Sequence, residues 1–341
     1  MAIQSAYSTP MTNKSINKNE RITIVLPNKL GDSILSLPFM LCLRELADKF
    51  GPPGNVTEFF TYSPLVEVFE AVGITNVFQM NITAKMMSWL KPPDKAFFLV
   101  ATLKNFGFHA RSTYGMRQKN KWLVRLDHDL KCLKGEQLPV ELEQYLATEC
   151  QLPRFSVRLF GVLLELGYSA EQIISTFTFS RKSLPVDYSG LTVERPVTGP
   201  YLVCCMEAAC NRGRHNDQRR WITDHYLTLA RRVREQYGYR IAFVGIATDP
   251  PIPEESGFID LRGRLNLWQL FSLMAGAVGY FGNDTGPLHM ANLAGISSVG
   301  VYPSENDYAP LFSELNRAVI RPACPDDVYP AIRQMIEQRN N

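Results

Sequence analysis

With 341 residues, 45% of them hydrophobic, the chain can bury a large core and is long enough for two domains. Its formal net charge of +3 is too small by itself to point to nucleic acid. None of the seven cysteines forms a C-x-x-C pair. The cluster Cys204, Cys205 and Cys210 has no His or second pair at zinc-site spacing, so buried reduced thiols in a cytosolic protein are expected.

Residues 1–20 are polar, have no apolar h-region, and read as a disordered tail and not as a secretory signal. No apolar stretch approaches the ~20 residues of a membrane helix. A soluble protein, or one that touches a membrane only by its surface, is expected. From Arg21 to Pro27 runs a first strand. Asn28 to Asp32 forms a turn, and a helix is predicted from Ser33 to about Phe50, with Leu37, Met40, Leu41 and Leu43 at helical spacing. Asp32 thus stands at a helix start above strand one, where a carboxylate can cap the helix or point into a crevice. Further strands are predicted at Val56–Thr61, Asn76–Gln79 and Ala96–Ala101, with helices at Pro64–Val72 and Ile82–Leu90 between them. This alternation implies a parallel sheet with helices on both faces. No GxGxxG follows strand one, which disfavours a dinucleotide fold.

A basic, aromatic segment comes next: Lys104, His109, Arg111, Arg117, Lys119, Lys121 and Arg125, with Phe108, Tyr114 and Trp122. Its composition suits an anionic sugar or lipid-linked partner, and no nucleic-acid motif accompanies it. Asp127-His128-Asp129 is a lone D-x-D triplet that reads as polar surface, so no metal site is expected. Two amphipathic helices follow, at Val140–Cys150 and Val157–Gly167.

Ser180 to Pro200, with Pro185, Pro196, Gly190 and Gly199, lacks periodicity and reads as the linker. A second α/β series then begins: a strand from Tyr201 to Met206, a helix Thr223–Tyr237 stopped by Gly238, and strands at Arg240–Val244 and Ile259–Leu261. Asn266 caps a helix carrying Leu267, Leu270, Phe271 and Met274. The loop from Cys210 to Trp221 holds Arg212, Arg214, Arg219 and Arg220, which suit a diphosphate through bidentate contacts.

The chain is organised around Val278–Tyr302. A buried strand (Val278–Phe281) leads into the turn Gly282-Asn283-Asp284-Thr285-Gly286. A helix from Pro287 to about Ala294 follows, then a stop at Gly295 and a strand Ser298–Tyr302. The first amides of such a helix are unpaired and lie at its positive dipole end, so they suit a phosphate. Asp284 or Thr285 can cap the helix, Gly286 lets a ligand near the backbone, and Pro287 sits where its missing N–H matters least. His289 shares a helix face with Thr285. A final helix (Pro325–Gln338) ends the series.

The pattern D-T-G-P-x-H-x-A-x-x-A-G between two strands resembles the nucleotide-sugar motif of the heptosyltransferases, glycosyltransferase family nine. Leu30-Gly31-Asp32 with Leu37-Pro38, Arg220-Trp221, and Leu261-Arg262-Gly263 resemble further elements of that family, in the same order. The resemblance implies a GT-B fold, that is, two doubly wound Rossmann-like α/β domains facing across a cleft. It implies an acceptor-binding domain over 21–180, a linker over 181–200, a nucleotide-sugar domain over 201–324, and a last helix (325–341) packing back on the first domain. It further implies metal-independent, inverting transfer of a heptose from ADP-heptose, a substrate and not a cofactor, to a lipopolysaccharide-core acceptor. Asp32 would be the general base. Arg219, Arg220, Asp249, Asp284, Thr285, Gly286, Pro287, Leu288 and His289 would hold the donor, and Lys104, Arg111, Arg117, Lys119 and Lys121 the acceptor. The expected place is the bacterial cytoplasm, with peripheral contact at the inner face of the inner membrane. Two departures are visible: Arg219 stands where the family has Lys, and Asp249 where a Gly-Gly-x-x-Glu segment is usual. A nucleotide-sugar epimerase or a non-catalytic nucleotide-sugar-binding protein on the same scaffold is the alternative.

Overall fold

Runs such as Ile24–Leu26 and Leu202–Cys205 are apolar at successive positions, which suits parallel strands covered on both faces. The chain folds that way. The computed structural model describes residues 20–52, 55–62, 65–70, 73–74, 76–99, 108–115, 130–132, 138–180, 197–207, 220–246, 250–303 and 309–340. Among these residues the strands form two six-stranded parallel sheets.

The first sheet contains β1 (Arg21–Val25), β2 (Asn55–Thr61), β3 (Val77–Gln79), β4 (Lys95–Phe98), β5 (Ser112–Gly115) and β6 (Leu130–Cys132), in the spatial order β3-β2-β1-β4-β5-β6. The second contains β7 (Tyr201–Cys205), β8 (Arg240–Phe243), β9 (Phe258–Asp260), β10 (Gly279–Asn283), β11 (Ser298–Tyr302) and β12 (Asn316–Ile320), in the order β12-β11-β10-β7-β8-β9. Each sheet winds outward in both directions, so strand order reverses once, between β1 and β4 and again between β7 and β10. Ligands of such sheets sit outside the carboxyl ends of the strands at these reversals.

Several elements depart from the predicted pattern. The first helix spans Leu30–Phe50, so Asp32 lies within its first turn and Lys29 takes the cap position without a side-chain bond. Part of the basic segment is strand: Ser112–Gly115 pairs with β4 along its length. The predicted helix Val157–Gly167 is two short pieces, Arg154–Leu159 and Gly161–Glu165. β12 was not expected; its sequence, Asn-Arg-Ala-Val-Ile, is only partly apolar because it is an edge strand.

The last helix (Pro325–Asn340) corrects the expectation that it returns to the first domain. Val328, Ile332, Met335 and Ile336 are buried with Phe281, Val299 and Val301 of β10 and β11, and with Tyr226 and Val233 of helix Thr223–Tyr237. That row, spaced i, i+4, i+7, i+8, is one apolar stripe, and the second sheet has an open face that it covers. Among the described residues no helix is long and apolar enough to cross a membrane.

One core cluster crosses between the halves. It joins Leu35, Leu37 and Phe39 of the first helix to Leu288, Met290 and Leu293 of the helix after β10. At its margin Phe179 stacks on Phe312 with ring centroids 5.6 Å apart and planes within 9°. At the edge of the second sheet, Asp260 of β9 and the buried Arg262 form a two-pronged ion pair, with Nε–Oδ1 and Nη2–Oδ2 both 2.8 Å, and Arg262 Nη1 donates to Pro250 O at 2.8 Å. Hydrogen bonding from Arg262 holds the Asp260 carboxyl below its ordinary value of 3.8. A lowered carboxyl stabilises the fold above that ordinary value, and the contribution fades as pH falls through the lowered one. Asp260→Asn is therefore expected to lower the melting temperature at pH 7. The gap from the parent should close below about pH 4, a trend that a melting series from pH 7 to 3 reads directly. A gap independent of pH would mean that packing, and not the charge, is what the substitution removes.

Candidate active site

The two strand-order reversals face one another through two helix amino ends. After β1 the chain passes Pro27, whose carbonyl accepts from Thr61 Oγ1 at 3.0 Å, and enters the first helix at Leu30-Gly31-Asp32. A carboxylate in a first turn is favoured by the helix dipole. After β10 the chain turns through Asp284 and Thr285 into the second helix, Gly286–Leu293, with Pro287 in its first turn.

Two glycines bring these ends together. A Cβ on Gly31 would stand 2.9 Å from His289 Cδ2, and a Cβ on Gly286 would stand 2.9 Å from Leu30 Cβ. Each glycine thus receives a side chain from the opposite half, and what approaches Gly286 here is Leu30. Gly31→Ala is expected to wedge the halves apart, because the His289 ring is only 4% exposed and cannot swing away. Displacement of this kind should lower kcat/KM by about tenfold or more. Steady-state kinetics beside an unchanged circular dichroism spectrum is the check, and a parental rate would show that the working enzyme does not use this contact.

Asp284 and His289 are both buried, with His289 Nε2 3.6 Å from Asp284 Oδ1. The His289 ring thus meets Asp284, while its amide donates to Thr285 O one turn back at 3.5 Å. The other ring nitrogen, Nδ1, is buried and has no hydrogen-bond partner among the described residues. Thr285 occupies the cap position but makes no capping bond. Its hydroxyl turns back toward Asn283 O (3.3 Å) and Cys205 Sγ (3.6 Å). The amide of Leu288 is already spent on Thr285 O at 3.0 Å, and Pro287 has none, so the anion-facing amides narrow to the start of the turn.

Asn283 was read only as part of the turn, yet it organises the second half of the site. It is fully buried. Its Nδ2 donates to Met206 O (2.7 Å) and Glu207 O (3.2 Å), and its Oδ1 accepts from Trp221 N (3.2 Å) and Tyr226 Oη (2.7 Å). All four positions of the amide are used. The end of β7, the Arg220-Trp221 loop and the phosphate-type turn are tied to one side chain. Trp221 is also anchored by Nε1 donating to Pro322 O at 3.0 Å, and its ring meets Tyr226 edge-on at 5.0 Å. Arg220 Nη2 donates to Thr223 Oγ1 at 2.9 Å.

Glu207 was also missed. It follows β7, and its carboxylate accepts from Ile246 N at 2.9 Å. A Cβ on Gly245 would come within 2.4 Å of that carboxylate, so the missing side chain at Gly245 makes its cradle. This acid stands at the carboxyl ends of β7 and β8, where the chain lacks the expected Gly-Gly-x-x-Glu segment. Only its neighbours in space reveal it. Cys204 and Cys205 are buried thiols on β7, and burial pushes Cys205 up to about 11.

Arg219, Asp249, Lys104, Arg117, Lys119, Lys121 and the triplet Asp127-His128-Asp129 lie outside the described residues. Arg111 is described, and its expected role needs correction. It directly precedes β5, at the amino edge of the first sheet, with Nη1 3.0 Å from Asp94 Oδ1. Asp32 is at the carboxyl edge, a strand's length away, or about 13 Å for four residues. Arg111 therefore does not stand beside Asp32.

Two doubly wound α/β halves meeting through their carboxyl edges define the GT-B type of glycosyltransferase fold. The model of glycosyltransferase family 9 (heptosyltransferase) matches residues 106–323, and the chain belongs to that family. It is 28% identical over 137 residues to lipooligosaccharide heptosyltransferase 2 of Haemophilus influenzae, and the alignment spans 37% of this chain and 37% of that protein. Among solved structures, E. coli ADP-heptose lps heptosyltransferase II matches with a TM-score of 0.59 at 19% identity, over 94% of this chain and 100% of that one. The family 9 glycosyltransferase of Veillonella parvula matches with a TM-score of 0.60 at 16% identity, over 96% and 99%. At these identities the structural likeness speaks for the fold.

Proposed function

We propose that the protein is an inverting glycosyltransferase. It would move a heptose or a related sugar from a nucleotide-diphosphate donor, ADP-heptose first among the candidates, to a hydroxyl of a lipopolysaccharide-core or similar glycan acceptor. It would work in the bacterial cytoplasm, against the inner face of the inner membrane. The observation that supports this best is the meeting of two helix amino ends across the cleft, one carrying Asp32 and the other the D-T-G-P-x-H turn.

In this reading the donor lies on the second half. Its diphosphate meets the amides of Thr285 and Gly286, the Nδ1 edge of His289, and the guanidiniums of Arg219 and Arg220. Preorganised donors of this kind stabilise the charge that gathers on the leaving nucleotide, which is the work a divalent cation does in other transferases. Glu207 offers a carboxylate to a ribose or sugar hydroxyl, and Asp249 is a second candidate for that bond. Asp32 takes the proton as the acceptor hydroxyl attacks the anomeric carbon from the face opposite the nucleotide, so the configuration inverts. A carboxylate is ionised at neutral pH and needs position more than a shifted pKa. The acceptor side of the cleft would be completed by the basic segment around Lys104, Arg117, Lys119 and Lys121.

A melting screen against nucleotide diphosphates and nucleotide sugars, with and without EDTA, tests the donor assignment, because a ligand of the folded state raises the midpoint by mass action. ADP and ADP-heptose should raise it equally in both conditions, by about 2–4 kcal/mol of stabilisation at 100–1,000 times Kd. Preference for UDP or GDP would replace the sugar class, dependence on added metal would overturn the cation-free donor site, and no shift with any nucleotide would sink the reading.

A further inference from the structure

Helix Ile82–Leu90 is built inside out. Its sheet-facing side is small: Ser88 is buried, and Ala84 packs beside Met80, Phe98 and Ala110. Its solvent side carries Ile82 (78% exposed), Met86 (61%), Leu90 (74%) and Trp89 (64%), with Met87 and the neighbouring Phe78 also exposed. Ile82, Met86 and Leu90 recur every four residues and form one outward ridge. Six of the eleven large exposed apolar side chains among the described residues thus fall within residues 78–90. Contiguous apolar surface of this kind marks an interaction site.

The helix and its flanks, residues 76–91, carry Lys85 and Lys91 and no acid, and the sequence from 76 to 126 holds nine Lys and Arg against one acid, Asp94. Among the described residues Lys91 lies at the helix end. His109, two residues before the Asp94-paired Arg111, stacks its ring on Trp89 with centroids 4.6 Å apart. An outward ridge of Met, Ile and Leu with one Trp, on a helix whose charged residues and flanks are all basic, fits a fluid anionic surface. A protein partner would need a groove shaped to receive it.

We propose that this helix is the surface by which the protein docks on an anionic phospholipid bilayer, with the Ile82-Met86-Leu90 ridge and Trp89 entering the headgroup–acyl boundary and the lysines of the helix and its end, Lys85 and Lys91, meeting the phosphates. The inference rests on the membrane-face part of the proposed function and assigns it a place. The helix runs from the carboxyl end of β3 to the amino end of β4, so the ridge lies along one face of the first sheet, with Ile82 at the end nearer the edge that carries Asp32.

The test is flotation of the full chain with vesicles of phosphatidylethanolamine and phosphatidylglycerol (7:3), against pure phosphatidylcholine. The parent should float with the anionic vesicles, release as salt is raised, and show Trp fluorescence quenched by brominated acyl chains. Trp89→Phe should remove that quenching. The triple variant Ile82→Ser, Met86→Ser, Leu90→Ser changes only exposed side chains, so circular dichroism and melting should match the parent while partitioning falls tenfold or more. Undiminished flotation of the triple variant would overturn this assignment and leave membrane contact standing. If the parent fails to float with any anionic vesicle, both fall. A parental dimer that the triple variant dissolves, with flotation untouched, would make the ridge a protein contact and overturn the assignment.

Discussion

Asp32→Asn is expected to lower turnover by about 10²–10⁴-fold, the range of a positioned general base, with little change in donor affinity. The substitution keeps the shape of the side chain and its place in the first helical turn. It removes the proton acceptor and a favourable charge at the helix amino end, whose loss costs about 0.3–1 kcal/mol of stability. The effect should therefore fall on kcat, while the melting temperature moves little and the donor-induced shift survives. A variant with kcat within threefold of the parent would mean that another group takes the proton. A loss of donor binding as large as the loss of rate would mean that Asp32 holds substrate and does not act on it.

Asn283→Leu should be among the most damaging single changes in the second half. It leaves Trp221 N–H, the Tyr226 hydroxyl and the carbonyls of Met206 and Glu207 without their buried partner. Each orphaned group costs about 1–3 kcal/mol, less where a neighbour or water can substitute, so a total of about 3–5 kcal/mol is expected. That amount corresponds to a fall of roughly 10 °C in the melting temperature. Because Asn283 also fixes Trp221, and through it the chain direction at Arg220, donor affinity should fall as well, even at temperatures where the variant stays folded. A melting temperature within 2 °C of the parent would show that water replaces the amide and that the network is not what orders the turn.

Much of the fold is legible in the sequence itself. The helices Ile82–Leu90 and Thr223–Tyr237 and the strand Ser298–Tyr302 have the predicted bounds. In the first, Asn81 accepts from Ala84 N; in the second, Gly238 adopts the left-handed conformation that ends a helix; and the strand follows the glycine stop at Gly295. Local chemistry marks such boundaries. The start of the first helix was placed late because Lys29 supplies no capping side chain to mark it. β5 was hidden because Ser-Thr-Tyr-Gly inside a basic segment shows no apolar run, and its register comes from pairing with β4.

The site divides in the same way. The turn after β10 was legible because its residues are contiguous and each has a backbone reason to be there. The contacts that complete it join residues far apart in the chain: Gly31 with His289, Leu30 with Gly286, Asn283 with Trp221, Glu207 with Ile246. No spacing rule reaches across such distances. The side on which the last helix packs was also undecidable from its stripe alone, since an apolar stripe tells that a helix is covered and not by what.

That last helix has a bearing on how such a chain can change over time. Because it closes the second sheet, no described element of the later half is needed by the first sheet: every described strand before residue 181 belongs to one sheet and every one after 196 to the other. The backbone makes the passage once. Gene segments encoding the two halves can then be exchanged between relatives at a single junction, with no helix left stranded on the wrong partner. What a new pairing must preserve is the seam: the core that joins Leu35, Leu37 and Phe39 to Leu288, Met290 and Leu293, the seats that Gly31 and Gly286 offer to His289 and Leu30, and the face between Phe179 and Phe312. Sugar donor and acceptor can diversify on separate schedules as long as that seam still fits.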